Sequence, residues 1–112
     1  PVPLHPKKKR RRGYNQVNRY GQILADRLEV PFEQKLLIRN QMAQSLTKKN
    51  RFERNESMSD AFIALNETSV KFKHILLVDD IITSGATLTA CARQILKQPG
   101  TRVSLASMAF TL

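Results

Sequence analysis

Two adjacent carboxylates, Asp79 and Asp80, close the apolar run Leu76-Leu77-Val78 and lead into Ile81-Ile82-Thr83-Ser84-Gly85-Ala86-Thr87-Leu88. Residue types at this spacing suit a phosphorylated sugar. The first N–H groups of a helix point outward unpaired, and the helix dipole places about half a positive charge there. Thr83, Ser84 and Thr87 add hydroxyl donors, while Gly85 and Ala86 keep the backbone accessible to a phosphate. Carboxylates at the carboxyl end of a strand occupy the place where open α/β sheets bind ligands, and they can accept hydrogen bonds from vicinal hydroxyls. Phosphate donors on one side and diol acceptors on the other describe a ribose 5-phosphate. An ordinary strand–turn–helix with Asp caps would not also require this loop.

Such a site needs a strand before it and a helix after it. His74 to Val78 is predicted to be the central strand. The following helix carries Leu88, Cys91, Ala92, Ile95 and Leu96 on one face and stops at Pro99-Gly100, and Val103 to Phe110 forms the last strand. Upstream, Pro1 to His5 reads as a short strand and Lys7 to Arg12 as an unbroken basic run. Val17, Tyr20, Leu24 and Leu28 recur at helical spacing, with Ile23 beside them, in a helix that ends before Pro31. Lys35 to Arg39 fits a buried strand and Ala61 to Leu65 an edge strand. Residues 40–59 read as a long flexible loop with a helical turn around 45–55. Strands alternating with helices predict an α/β fold with a mostly parallel sheet of about five strands.

With 112 residues, the chain is one domain of ordinary apolar content, 41%. No apolar run approaches a membrane span and no secretory pattern opens the sequence, so no membrane partner and a cytoplasmic location are expected. A single cysteine excludes an internal disulfide and a cysteine-clustered zinc site, and Cys91 reads as a small core residue. The net charge of +10 is uneven: residues 1–56 hold 14 Lys/Arg against 5 Asp/Glu, and residues 57–112 hold 5 against 4. The positive half suits an anionic partner, whether a pyrophosphate, a nucleic acid or both.

The segment Leu76 to Leu88 resembles the phosphoribosyl-pyrophosphate (PRPP) signature of the type I phosphoribosyltransferases. Val2-Pro3-Leu4-His5-Pro6, Arg12-Gly13-Tyr14-Asn15-Gln16, and then Arg51, Arg54, Asn55, Ala61 and Phe62 look like the ComF-type, competence-associated branch, so the resemblance covers nearly the whole chain. That branch commonly opens with a cysteine-rich zinc-binding segment, which is missing here, so truncation at the N-terminus is expected. The basic run is also denser than the pattern requires, and Ser84 stands where Thr is common.

The resemblance implies a Mg²⁺-dependent transfer of phosphoribose from PRPP to an unidentified acceptor, with release of pyrophosphate and little or no hood to bind that acceptor. It assigns Asp79 and Asp80 to the ribose hydroxyls and to catalysis, and Thr83, Ser84, Gly85, Ala86 and Thr87 to the 5-phosphate. His5, Arg12, Gly13, Lys48 and Arg51 are assigned to the pyrophosphate. The metal would come with PRPP, with no direct protein ligand expected and Asp79 or Asp80 as the alternative to that. Arg12 fits equally a solvated basic tip, and Asn15 a helix cap. The alternative is a non-catalytic module that senses PRPP or another ribose 5-phosphate-containing nucleotide, or one that binds nucleic acid through Lys7 to Arg12. Oligomeric state stays open, with a homodimer through exposed apolar edges as one form.

Overall fold

The computed structural model describes residues 1–4, 16–40 and 61–111. Their order is helix α1 (Gln16–Leu28), strand β1 (Leu37–Arg39), strand β2 (Phe62–Ala64), a 3-10 helix (Glu67–Val70), strand β3 (His74–Ile82), helix α2 (Ala86–Leu96) and strand β4 (Arg102–Phe110). The class is α/β. Among the described residues the strands form two pairs: β1 and β2 run antiparallel, and β3 and β4 run parallel, in register from His74 opposite Arg102 to Ile82 opposite Phe110. Parallel neighbours cannot be joined by a hairpin, and α2 makes the crossover.

β3 is the central element. On the side away from β4 lies the N-terminal segment, where the Val2 N–H donates to the Val78 carbonyl (2.9 Å). Residues 1–4 are not otherwise laddered as a strand, so the expected first strand is reduced to this contact. Alternation along β3 sends successive side chains to opposite faces. Leu77 joins Leu88, Cys91 and Ile95 of α2 in the main core, with Leu37, Phe62 and Ala64 from the antiparallel pair. Val78 faces α1, and a Cβ on Gly21 would stand 3.1 Å from its Cγ2 and 2.6 Å from Cε2 of Phe32.

That close approach corrects the expected face of α1. The buried stripe is Val17, Gly21 and Ala25, whereas Ile23 and Leu28 are exposed. Small residues let the helix sit close to the sheet, and the larger apolar ones are displaced to its flanks. On α2, Leu88, Cys91 and Ile95 are buried as the spacing predicts, but Leu96 is exposed and Gln94 takes an inner position, its Oε1 accepting from Lys97 Nζ (3.0 Å). The strand expected to end at Val78 continues to Ile82, because pairing with β4 continues through Phe110. The loop expected at residues 40–59 lies almost wholly outside the described residues. No described helix is long and apolar enough to cross a membrane.

Candidate functional site

The second half of β3, the turn after it and the start of α2 line a small, solvent-open hollow. Asp79, Ile81, Ile82 and the continuous run from Thr83 to Leu88 line it. Gly85 is the N-cap of α2 at φ 81°, with no side-chain cap hydrogen bond. A Cβ there would meet nothing within 4 Å, so glycine is required for the left-handed backbone and leaves open space above it. Ser84 Oγ accepts from the Ala86 N–H (3.3 Å), and the Gly85 carbonyl accepts from the Thr89 N–H (2.9 Å). The amides of the first turn of α2 therefore open onto a hollow flanked by exposed hydroxyls at Thr83 and Ser84, an arrangement that attracts an anion.

Each carboxylate is fixed by the residue that follows it. Asp79 Oδ1 accepts the Asp80 N–H (2.8 Å), and Asp80 Oδ1 accepts the Ile81 N–H (2.7 Å). Strand alternation separates the pair: Asp79 lies on the face of α2 and lines the pocket, while Asp80 projects to the other face. Burial is the largest influence on Asp79 and pushes its carboxyl above the usual range. The Asp80 N–H works against that shift, the Asp80 charge adds to it, and the Arg39 cation offsets part of it.

Arg39 was not singled out by the sequence, where it merely closes the strand Lys35 to Arg39. A basic residue ending an apolar run was the available signal. Its Nε donates to the Pro3 carbonyl (3.1 Å), and its guanidinium lies 5.0 Å from the ring centroid of Phe62, its cross-strand partner. Burial lowers the Arg39 pKa, and the neighbouring Cys91 and Asp79 oppose that shift. Cys91 beneath the site is fully buried, and burial, with Asp79 nearby, pushes its thiol up to about 12, so it is an inert core residue.

Of the residues expected at the site, Asp79 and Thr83 to Thr87 are brought together around one pocket, with Asp80 adjacent on the strand. The residues expected to hold pyrophosphate, His5, Arg12, Gly13, Lys48 and Arg51, lie outside the described residues, as does Lys7 to Arg12. No cluster of three metal-ligating side chains occurs among the described residues. The oxygen donors present are hard carboxylates. They fit Mg²⁺, which is held by one or two carboxylates together with substrate phosphates.

Residues 19–110 match the phosphoribosyl transferase domain family. The chain belongs to that family. Among curated proteins, it is 30% identical to competence protein F of Haemophilus influenzae over 98 residues, 87% of this chain and 43% of that protein. It is 35% identical to competence protein ComFC of Bacillus subtilis over 112 residues, all of this chain and 42% of that protein. The chain thus spans less than half the length of these relatives. No solved structure matches it significantly. The ComF-type branch inferred from the motifs is the one these relatives represent.

Proposed function

We propose that this domain binds Mg²⁺-PRPP and transfers its phosphoribosyl group to an acceptor, releasing pyrophosphate. The observation that carries this reading is the pocket itself, where Asp79, the Thr83–Thr87 turn and the first residues of α2 line one hollow. The turn amides and hydroxyls hold the 5-phosphate, and Asp79 accepts from the ribose hydroxyls, while Asp80 on the opposite face holds the end of the strand through the Ile81 N–H. The reacting carbon develops positive charge as pyrophosphate leaves, so the work of the site is positioning and charge stabilisation. A carboxylate beneath the ring favours that charge. Mg²⁺ bound with the substrate supplies neutralisation of the pyrophosphate oxygens. His5, Arg12, Gly13, Lys48 and Arg51 are proposed to complete the pyrophosphate side.

A second reading is a PRPP or nucleotide sensor without turnover, acting in competence. The likeness to two competence proteins supports that setting. Calorimetric titration of Mg²⁺-PRPP into the wild type and an Asp79→Asn, Asp80→Asn double variant tests the shared premise. Saturable wild-type binding, weakened about 10-fold or more in a folded variant, is expected from losing the charge-assisted acceptor at Asp79. Equal binding by both removes the site from consideration. Pyrophosphate release across amine and nucleobase acceptors then separates transferase from sensor.

A further inference from the structure

At the opposite end of β3 stands an aromatic side chain that the PRPP pocket does not use. Phe72 is 78% exposed, the most exposed large apolar side chain among the described residues. Its φ is 58°, a left-handed conformation that is unfavourable for a bulky residue. The backbone is nevertheless held on all sides. The Phe72 N–H donates to the Pro99 carbonyl (3.2 Å), the Lys71 N–H to Thr68 (3.4 Å), the Lys73 N–H to Val70 (3.1 Å) and the Arg102 N–H to Lys73 (3.0 Å). One edge of the ring rests where Gly100 has no side chain: a Cβ there would come within 2.2 Å of Phe72 Cδ1. The backbone is therefore held, and it presents the ring to solvent with one edge against Gly100.

Its surroundings are cationic. Lys71 and Lys73 flank it and Arg102 is backbone-bonded to Lys73, all three exposed. Lys97 closes α2 just before Pro99-Gly100. These are four of the five Lys/Arg in residues 57–112, a half of the chain whose net charge is close to zero. Apart from Glu67, the acids of that half are Asp60 and the Asp79–Asp80 pair, and no acidic residue follows Asp80. Asp79 lies five residues along β3 from His74, about 17 Å at strand rise. Asp79 and Asp80 thus stand toward one end of β3 and Lys71, Lys73 and Arg102 at the other, with Glu67 opening the 3-10 helix before them.

We propose that Lys71, Phe72, Lys73 and Arg102 form a docking platform for single-stranded nucleic acid, separate from the PRPP pocket. An exposed ring stacks on any unpaired base, and neighbouring cations track the phosphates on either side of it. A duplex does not offer the unstacked base. A membrane surface would favour a wider apolar face than the single ring carried by Lys71 to His74. This platform does not depend on the PRPP reading.

The test is fluorescence anisotropy with a labelled single-stranded oligothymidylate, using the whole chain. Phe72→Gly suits the left-handed backbone, so its Tm is expected to equal or exceed that of the wild type. Binding should weaken roughly tenfold on removal of one stacked base, and Phe72→Tyr should restore it. Lys71→Gln with Lys73→Gln should flatten the log–log salt dependence by ~1.4, at ~0.7 per single-strand phosphate. Cations elsewhere, such as Lys7 to Arg12, would add to the salt slope without creating dependence on Phe72. Unchanged binding by folded Phe72→Gly overturns the proposal. So does equal affinity for a duplex, or capture by phosphatidylserine vesicles with no binding to the oligonucleotide.

Discussion

Gly85 and Gly100 share a left-handed backbone, at φ 81° and 71°, yet their surroundings are opposites. Nothing lies within 4 Å of a Cβ placed on Gly85, whereas a Cβ on Gly100 would run into the ring of Phe72. One glycine is needed for its dihedral angle alone and keeps a hollow open beside Asp79. The other is needed for both angle and space, and braces a side chain that itself stays in solvent. The same residue type thus leaves open space at one end of β3 and gives support at the other.

The sharpest way to break this contrast is Gly100→Ala. Left-handed strain of about 1–2 kcal/mol, together with the swing of the exposed ring away from the new methyl, should lower the Tm by roughly 5 °C or more. Adding Phe72→Gly should recover the second part and leave the first. If thermal denaturation shows no recovery, the ring is not what the missing side chain accommodates. Gly85→Ala should cost less, about 1–2 kcal/mol, because no neighbour must move, while Mg²⁺-PRPP affinity falls by far more than stability. Equal losses at the two glycines would erase the distinction.

The smallest effect concerns Asp79. Burial raises its carboxyl pKa, so the folded chain keeps a proton that the unfolded chain has already released. Its contribution to stability accordingly declines as pH climbs from the ordinary carboxylate range through the raised value. Asp79→Asn cannot ionise and keeps an oxygen for the Asp80 N–H. Its Tm should exceed that of the wild type near neutral pH by roughly a few °C, with the gap closing on acidification. A gap that opens on acidification would mean that Arg39 outweighs burial.

The residues from His74 to Phe110 were legible because local pattern and tertiary role agree there. An apolar run, a hydroxyl-rich turn with one glycine and a helical stripe each occur in their own stretch of sequence. Other elements depend on partners that are distant in sequence. Leu37–Arg39 and Phe62–Ala64 pair antiparallel across residues 40–61, and three-residue strands carry no register signal of their own. The buried stripe of α1 was misread because Gly21 and Ala25 do not register as apolar until Val78 and Phe32 are seen to press against them. Arg39 looked like the end of a strand, and Phe72 drew no reading at all, for the same reason. Their roles lie in the Pro3 carbonyl, the Phe62 ring and the Gly100 backbone, which no local pattern reveals.

The parallel pairing of β3 with β4 also bears on how the chain acquires its shape. Strand, turn, helix and strand follow one another without interruption from residue 74 to 110, so this pairing closes only a short loop of chain. Such a unit is suited to forming early and opening late. In native-state hydrogen exchange, the amides of Leu77 and Val78 should be among the slowest, and those of β1 and β2 should exchange well before them. The Thr83–Thr87 turn would then be assembled before the pieces distant from it in sequence have found their places.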